Sequence, residues 1–293
     1  MTCGTDIASR RSAEIAIRVR EALTEDGALH DVTTLATVPA DRQARARLRA
    51  RADGVVAGVA YAAETFRALD PRCRVDVICP DGSVIHAGDT VLVVEGAARA
   101  LLSAERVALN FLQRLSGIAT LTARYVHAVR GTKVRILDTR KTTPGWRALE
   151  KDAVRAGGGS NHRMDLTSAV LIKDNHVNAL GGDVRLAVER VREALAAGSE
   201  DSAVHQDIEV EADRIEDVQA ALEARAERIL LDNMPVPLMR QCVELVAGRA
   251  RLEASGGVTL DTVRAIAETG VDDISIGALT HSAPALDLGL DFD

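Results

Sequence analysis

Residues 208–232 read IEVEADRIEDVQAALEARAERILLD, and this stretch decides the fold. It opens with the apolar run IEVEA and closes with the apolar run RILLD. The segment between them, IEDVQAALEARA, has apolar residues at helical spacing. A strand, a helix and a second strand in this order predict a βα unit with two parallel strands.

The same pattern continues through the second half of the chain. Further apolar runs that end in a polar residue or a glycine are KVRILDTRK, AVLIKDN, RLEASGG and DISIGAL. Glu211, Asp232, Ser255 and Gly277 follow one another at intervals of 21, 23 and 22 residues. Strands and helices that alternate at this interval predict an α/β fold with a parallel sheet. Closure of that sheet into a barrel would bring all its carboxyl ends to one face, where barrel enzymes carry their chemistry.

The first half of the chain mixes helical and alternating strand patterns, which predicts an α+β region. Residues 13–23 are amphipathic, and CRVDVICPDGSVIHAGDTVLVVEG is typical of strands joined by tight turns. Ser103 is predicted to cap a long helix that ends at Gly131. In the second half, Thr259 and Gly270 are predicted to begin and end a helix in the same way.

Composition excludes several classes of function. The 293 residues are enough for about two domains, and 47% hydrophobic with 27% charged residues is typical of a globular protein. Only 2% of the residues are aromatic and the net charge is −7, so we expect no nucleic-acid partner. The four cysteines form no CxxC pair, and no apolar run resembles a secretory signal or a membrane span. These features favour a cytoplasmic location without a membrane partner.

Positive charge is concentrated in one part of this acidic chain. Residues 136–163 read ILDTRKTTPGWRALEKDAVRAGGGSNHR. Residues 130–173 contain ten Lys and Arg against four Asp and Glu, a local balance of +6. The cations stand at strand ends and beside a glycine-rich turn, which indicates a pocket for an anion rather than a solvated face.

The residues that close the predicted strands form a consistent set. Arginine grips a carboxylate through two parallel hydrogen bonds, whereas lysine acts as a point charge suited to phosphate. Two neighbouring carboxylates suit Mg²⁺, and glycine turns before helices suit a monophosphate. The set comprises Arg140, Lys141, His162, Arg163, Lys173, Glu211, Asp232, Ser255, Gly256, Gly257, Gly277 and Ala278.

Each of these residues also has a purely structural interpretation. Strand-end cations are often surface residues, a lone histidine is more often a core residue, and the two carboxylates can cap helices. Lys173 can pair with Asp174, or it can be a Schiff-base lysine of an aldolase-like barrel. The chain has no P-loop, no GxGxxG after a strand, no GxSxG and no HExxH motif, so kinase, dinucleotide oxidoreductase, hydrolase and zinc-protease functions lose support.

Taken together, the motifs identify a family resemblance that covers nearly the whole chain. TRKTTPGWRALEKDAVRAGGGSNHR is followed in order by LIKDNHV, IEVEAD, ILLDNM, LEASGG and GALTHS, and it is preceded by EDGALHDVTT and SAERVALNFLQRLSGIAT. This series closely resembles the quinolinate phosphoribosyltransferase family. The resemblance implies an N-terminal α/β sandwich-like domain at 1–116, joined by 283–293, and an incomplete, open α/β barrel at 117–282.

The resemblance also implies the reaction and its ligands. Quinolinate and phosphoribosyl pyrophosphate would give nicotinate mononucleotide, pyrophosphate and CO₂, with Mg²⁺ as cofactor. The enzyme would be a homodimer, and these dimers can assemble further into a hexamer of dimers. The implied quinolinate residues are Thr139, Arg140, His162, Arg163 and Lys173, with Arg106 contributed by the partner subunit. The implied phosphoribosyl pyrophosphate residues are Lys141, Glu211, Asp232, Ser255, Gly256, Gly257, Gly277, Ala278 and His281, with Glu211 and Asp232 also as metal ligands.

Three alternatives remain open at this point. A sister phosphoribosyltransferase would use nicotinate or a related base in place of quinolinate. A Schiff-base aldolase would use Lys173 as its nucleophile. A relative without catalytic activity would only bind a sugar phosphate, although the retained Glu211 and Asp232 argue against it, because binding alone requires no metal-held pyrophosphate.

Overall fold

The computed structural model describes residues 3–197 and 207–293, with side chains described from residue 11 onward. The chain divides into two compact units. The first contains Met1–Leu121, Asp152–Gly158 and Ala283–Asp293. The second contains Thr122–Lys151 and Gly159–Ser282.

Helices and strands alternate along most of the described chain. The helices are α1 (Cys3–Glu25), α2 (Val32–Thr37), α3 (Val59–Leu69), α4 (Ala98–Ala128), α5 (Arg147–Ala156), α6 (Asp174–Asn178), α7 (Val184–Ala197), α8 (Ile215–Glu223), α9 (Val236–Val246), α10 (Val263–Ala267) and α11 (Ala278–His281). The strands are β1 (Gln43–Ala50), β2 (Gly54–Val55), β3 (Arg74–Val77), β4 (Val84–Ile85), β5 (Thr90–Ala97), β6 (Arg135–Leu137), β7 (Val170–Ile172), β8 (Ile208–Ala212), β9 (Arg228–Asp232), β10 (Arg251–Ser255), β11 (Asp273–Ser275) and β12 (Leu288–Phe292). None of the helices in the described ranges has the length and apolarity that a membrane crossing requires.

The first unit contains an antiparallel sheet of four strands in the order β12-β1-β5-β3. Along β1 the side chains of Ala46, Leu48 and Ala50 are buried, as the two-residue period of a strand with one covered face requires. These residues join a core that also contains Phe66 of α3 and Leu112 of α4. The last strand, β12, pairs antiparallel with β1, so the end of the chain completes this sheet.

The second unit contains a parallel sheet of six strands in the order β6-β11-β10-β9-β8-β7. The two outer strands, β6 and β7, do not pair with each other, so the sheet is not closed. The predicted parallel sheet and the open α/β barrel are therefore confirmed. Because all six strands are parallel, their carboxyl ends lie at the same edge of the sheet.

Two predicted helix caps are wrong. The helix α4 begins at Ala98, so Ser103 lies inside it and donates a hydrogen bond from its hydroxyl to Asp31 Oδ2 at 3.1 Å. The helix α10 begins at Val263, directly after Thr262, and the N–H of Thr259 donates to Thr262 Oγ1 at 3.0 Å. In both cases the residue predicted as the cap hydrogen-bonds to a side chain and does not cap the helix. Spacing along the sequence does not reveal such a partner.

Gly117 lies where α4 packs closely against the backbone of Pro284. An ideal Cβ at this position of α4 would lie 2.0 Å from the carbonyl oxygen of Pro284. Alanine favours a helix by about 1 kcal/mol over glycine, but overpacking costs about 1–3 kcal/mol and here the obstacle is backbone. We expect Gly117→Ala to lower the melting temperature in scanning calorimetry. Asn110→Ala, at an exposed position of the same helix, is the control, and equal melting temperatures for the two variants would contradict this packing.

Candidate functional site

The carboxyl ends of the parallel strands border a cavity of about 390 Å³, which is within the usual range for small-molecule sites. Most of the polar residues that line it are ones predicted from the sequence. These are Thr139, Arg140, Lys141, His162, Arg163, Lys173, Glu211, Asp232, Ser255, Gly256 and Gly257. Arg140, Lys141 and Lys173 follow the outer strands β6 and β7, and the carboxylates and glycines lie at the ends of the strands between.

Four predicted residues do not line this cavity. Gly277 immediately precedes α11, and Ala278 and His281 are its first and last residues. An ideal Cβ on Gly277 would lie 3.1 Å from Lys141 Cδ and 3.1 Å from His281 Nε2, so this turn packs against a lysine of the cavity. Arg106 is an exposed residue of α4 in the first unit, beside Asp31 and Ser103.

Two guanidinium groups line the cavity. Arg140 follows β6, and Arg163 follows the glycine-rich turn after α5. Arg163 donates from Nη1 to the carbonyl oxygen of Ala169 at 3.0 Å, which leaves its other donors for a ligand. Burial, and then the charge of Arg140, lower the pKa of Arg163. The two like charges repel each other, so an anion bound between them relieves this repulsion.

The carboxylates of the rim stand on adjacent strands, Glu211 on β8 and Asp232 at the end of β9. Glu211 pairs with the ammonium group of Lys173. The suggested partner of Lys173, Asp174, instead accepts a hydrogen bond from the N–H of Asn175 at 2.6 Å. Asp232 accepts from Asn233 Nδ2 at 2.8 Å. Both carboxylates line the cavity.

The turn after β10 has a backbone shape that requires glycine. Gly256 has a φ of 91°, and an ideal Cβ there would lie 2.1 Å from Asn233 Oδ1. The N–H of Asn233 donates to the carbonyl oxygen of Ser255 at 2.9 Å, which ties this turn to the end of β9. Gly257 also has a positive φ, 59°, but open space around it. Such a turn lets backbone N–H groups approach an anion closely.

Beneath the cavity, the inner face of the sheet carries charged residues that were not predicted from the sequence. Nε2 of His162 lies 3.2 Å from Glu209 Oε2 and 3.4 Å from Glu253 Oε1. Arg228 contacts both carboxylates and also Asp273, at 3.1 Å from Asp273 Oδ2. The signal was present in the sequence, because a parallel strand covered on both faces is normally apolar throughout, and EVE and RLE alternate instead.

A buried ion pair fixes the segment that carries His162. Lys151 and Asp138, both almost fully buried, pair directly. Asp138 also accepts from the N–H of His162 at 2.9 Å, while Lys151 Nζ donates to the carbonyl oxygen of His162 at 3.0 Å. Burial raises the pKa of Asp138 and lowers that of Lys151, and their pairing opposes both shifts. The Asp138–Lys151 pair therefore fixes the backbone of His162 through two hydrogen bonds.

Lys151→Met tests how much the buried Lys151–Asp138 pair contributes to stability. The substitution leaves Asp138 as an unpaired buried carboxylate, which costs about 3–5 kcal/mol of the free energy of unfolding. We expect a large fall in melting temperature, measured by calorimetry, and a partial recovery when Asp138→Asn is added. Asp152→Ala is the control, because the partly exposed ion pairs of Asp152 with Arg11 and Arg155 are each worth less than about 1 kcal/mol. If both single variants melted at the same temperature, the buried pair would have no special role.

Comparison with known proteins gives one consistent result. Family models match residues 31–116 as the N-terminal domain and residues 118–291 as the C-terminal domain of quinolinate phosphoribosyl transferase. The chain is 46% identical over 291 residues to the chloroplastic nicotinate-nucleotide pyrophosphorylase (carboxylating) of Arabidopsis thaliana, covering 94% of this chain and 82% of that protein. It is 45% identical over 282 residues to the nicotinate-nucleotide pyrophosphorylase (carboxylating) of Mycobacterium leprae (strain TN), covering 93% and 95%. The solved structure of the Francisella tularensis nicotinate-nucleotide pyrophosphorylase matches with a TM-score of 0.88 at 34% identity, covering 96% of this chain and 97% of that one.

Proposed function

The chain belongs to the quinolinate phosphoribosyl transferase family, and from this membership and the charged cavity we infer how it works. It is a pentosyltransferase that transfers the phosphoribosyl group of phosphoribosyl pyrophosphate to quinolinate. The products are nicotinate mononucleotide, pyrophosphate and CO₂, in NAD biosynthesis. One observation supports this assignment best: cations, paired carboxylates and a glycine turn line one cavity at the carboxyl ends of parallel strands.

We assign quinolinate to the cationic residues of the cavity. Arg140, Arg163 and Lys173 supply three positive charges for the two carboxylates of the substrate. Their arrangement holds the pyridine nitrogen near the anomeric carbon of the sugar, which is mainly a gain in positioning. After transfer, the C–C bond to the carboxylate beside the ring nitrogen breaks and CO₂ departs; the positive nitrogen stabilises the electron pair left on the neighbouring ring carbon, which then takes up a proton. No covalent enzyme intermediate is needed, so the reaction does not require Lys173 to form a Schiff base.

Phosphoribosyl pyrophosphate fits the remaining residues. Ser255 and Gly256 form the turn whose backbone can take a phosphate, and the neighbouring Gly277 turn packs on Lys141. Lys141 is placed to offset the negative charge that develops as pyrophosphate leaves. We assign the ribose and the metal to Glu211 and Asp232.

Mg²⁺ is the cofactor that we propose, and the residues present suit it. Glu211 and Asp232 offer carboxylate oxygens, the ligand type that Mg²⁺ prefers, and the cavity leaves room for phosphate and water oxygens. Bound there, the ion would stabilise the departing pyrophosphate. Because Lys173 pairs with Glu211, a metal ion held by Glu211 would compete with the Lys173 ammonium group for that carboxylate.

The reaction is tested by carboxyl-labelled quinolinate. We expect labelled CO₂ to be released only when phosphoribosyl pyrophosphate and Mg²⁺ are both present, because decarboxylation requires the ring nitrogen to be ribosylated first. Arg163→Ala should lower kcat/KM for quinolinate by about 10- to 100-fold, the effect of losing one charge-assisted hydrogen-bonding partner. Turnover of nicotinate without turnover of quinolinate would transfer the assignment to a sister phosphoribosyltransferase. Tight binding of both substrates without turnover would favour the relative that lacks catalytic activity.

We further propose a homodimer in which Arg106 completes the partner's quinolinate site. Arg106 is exposed and has no carboxylate partner among the described residues, so its charge is available to another chain. We also propose a cytoplasmic location; two plant relatives are named as chloroplastic and mitochondrial.

Mixing two inactive variants tests the shared site. Arg106→Ala and Lys173→Met should each be nearly inactive alone. After subunit exchange in an equal mixture, half of the dimers are mixed and each has one intact site, so we expect about a quarter of the normal activity. No recovery, in a mixture shown by mass spectrometry to contain mixed dimers, would mean that Arg106 does not act across the dimer. A mixture of Lys173→Met with itself is the control.

A further inference from the structure

Asn233 follows β9 directly and lines the cavity beside Asp232. Successive side chains of a strand point to opposite faces of the sheet, so a regular strand would turn residue 233 away from the site. The backbone of Asn233 departs from the strand, with a φ of 54° in the left-handed region. This change of conformation at one residue brings two consecutive polar side chains, Asp232 and Asn233, to the same cavity.

A left-handed residue is unusual at this place in the fold. Within residues 3–197 and 207–293, the other non-glycine residues with a positive φ are Arg225 and Ala247. Both stand at helix ends, since Ala247 is the C-cap of α9 and Arg225 follows the C-cap of α8. Left-handed residues are common where helices end, whereas one that follows a strand at a cavity indicates a functional constraint. Asparagine adopts this conformation more readily than most other side chains do.

The side-chain amide of Asn233 has a defined orientation. Its Nδ2 donates to Asp232 Oδ2 at 2.8 Å. An ionised carboxylate only accepts hydrogen bonds, so the amide nitrogen has to be the atom on that side. The amide oxygen, Oδ1, then faces the turn after β10, where an ideal Cβ on Gly256 would lie 2.1 Å from it. The absence of a side chain at Gly256 therefore leaves the space that the amide occupies.

The main chain of Asn233 is held by the same neighbouring strand. Its N–H donates to the carbonyl oxygen of Ser255 at 2.9 Å, and Ser255 pairs in register with Asp232. The ideal Cβ on Gly256 would also lie 2.8 Å from this backbone nitrogen. Asn233 is thus fixed at its backbone and packed at its amide oxygen, which gives its amide nitrogen a constant position beside the Asp232 carboxylate.

We propose that Asn233 is a positioning residue for phosphoribosyl pyrophosphate: its amide binds Oδ2 of Asp232 and so leaves Oδ1, in a fixed orientation, for the metal ion that the substrate carries. This inference rests on the proposed function, in which Asp232 is a ligand of Mg²⁺. A carboxylate bound to a fixed donor loses its freedom to rotate, and metal ligands that are oriented by such an outer hydrogen bond hold their ion more tightly. Asn233 acts through Asp232 and needs no contact with the reacting atoms.

Asn233→Gly separates the amide from the backbone conformation, because glycine adopts a positive φ without strain and only the side chain is lost. The binding of phosphoribosyl pyrophosphate with Mg²⁺ is measured by titration calorimetry on protein saturated with phthalate. Phthalate has the two carboxylates of quinolinate but no ring nitrogen to be ribosylated, so no turnover occurs. We expect the dissociation constant of phosphoribosyl pyrophosphate to rise about tenfold, as for the loss of an outer hydrogen bond to a metal ligand. The dissociation constant of phthalate itself should change less than about twofold, because the amide does not contact the cations assigned to it.

A double-mutant cycle tests whether the amide acts through Asp232. Asp232→Ala removes the carboxylate that the amide orients, and binding of phosphoribosyl pyrophosphate then depends on the other residues assigned to it. In this background, Asn233→Gly should change the dissociation constant less than about twofold further. A second tenfold loss would overturn the proposal, because the amide would then act on the ligand by another route.

Ala247→Gly is the matched control. It replaces another left-handed residue by glycine, at the end of α9 and not in the lining of the cavity, and should leave both dissociation constants unchanged. Unchanged binding of phosphoribosyl pyrophosphate in Asn233→Gly would overturn the proposal, and so would an equal loss for phthalate, which would indicate a general disturbance of the cavity. Binding by the unaltered protein with no effect of the variant refutes this inference alone, whereas failure of the unaltered protein to bind phosphoribosyl pyrophosphate with Mg²⁺ refutes the proposed function.

Discussion

The two-residue period of the parallel strands places the charged groups that the strands themselves carry into the barrel site. In β8, Ile208, Val210 and Ala212 are buried on one face, while Glu209 and Glu211 point to the other. The same alternation runs through β9 and β10. Most apolar residues of these strands therefore lie on the outer face, and the inner face carries charged residues together with Leu171 and Leu230.

The charged interior costs energy that an apolar barrel core would not, because buried ions lose their hydration. Its compensation is a set of ion pairs that spans the strands: Arg228 joins carboxylates of three strands, and Arg135 binds Asp273 at 2.7 Å. Such pairs hold their members in fixed positions. Together with the buried Asp138–Lys151 pair, they give the segment around His162 a rigid support, which a site that must orient two anions requires.

Much of the site was predictable because strand ends are visible in sequence. Apolar runs at regular intervals gave the parallel sheet, and the residues that end them, such as Arg140, Glu211 and Asp232, line one cavity. Predictions that depended on local partners were less accurate. Ser103 bonds Asp31 instead of capping a helix, and Lys173 pairs with Glu211, a residue far along the chain. Spacing along a sequence does not show which distant side chain competes for a hydroxyl or an ammonium group.

The sequence by itself determined the βα order, the positions of the strand ends and the types of charge at the rim, because these follow from hydrophobic periodicity and from the chemistry of single residues. Only the tertiary structure decided that Glu209 and Glu253, from two strands that are not neighbours, meet at one imidazole ring. It also decided that Nδ1 of this ring faces the main chain of Arg163. Such contacts depend on the register and curvature of the sheet, which are set by the packing of all six strands together.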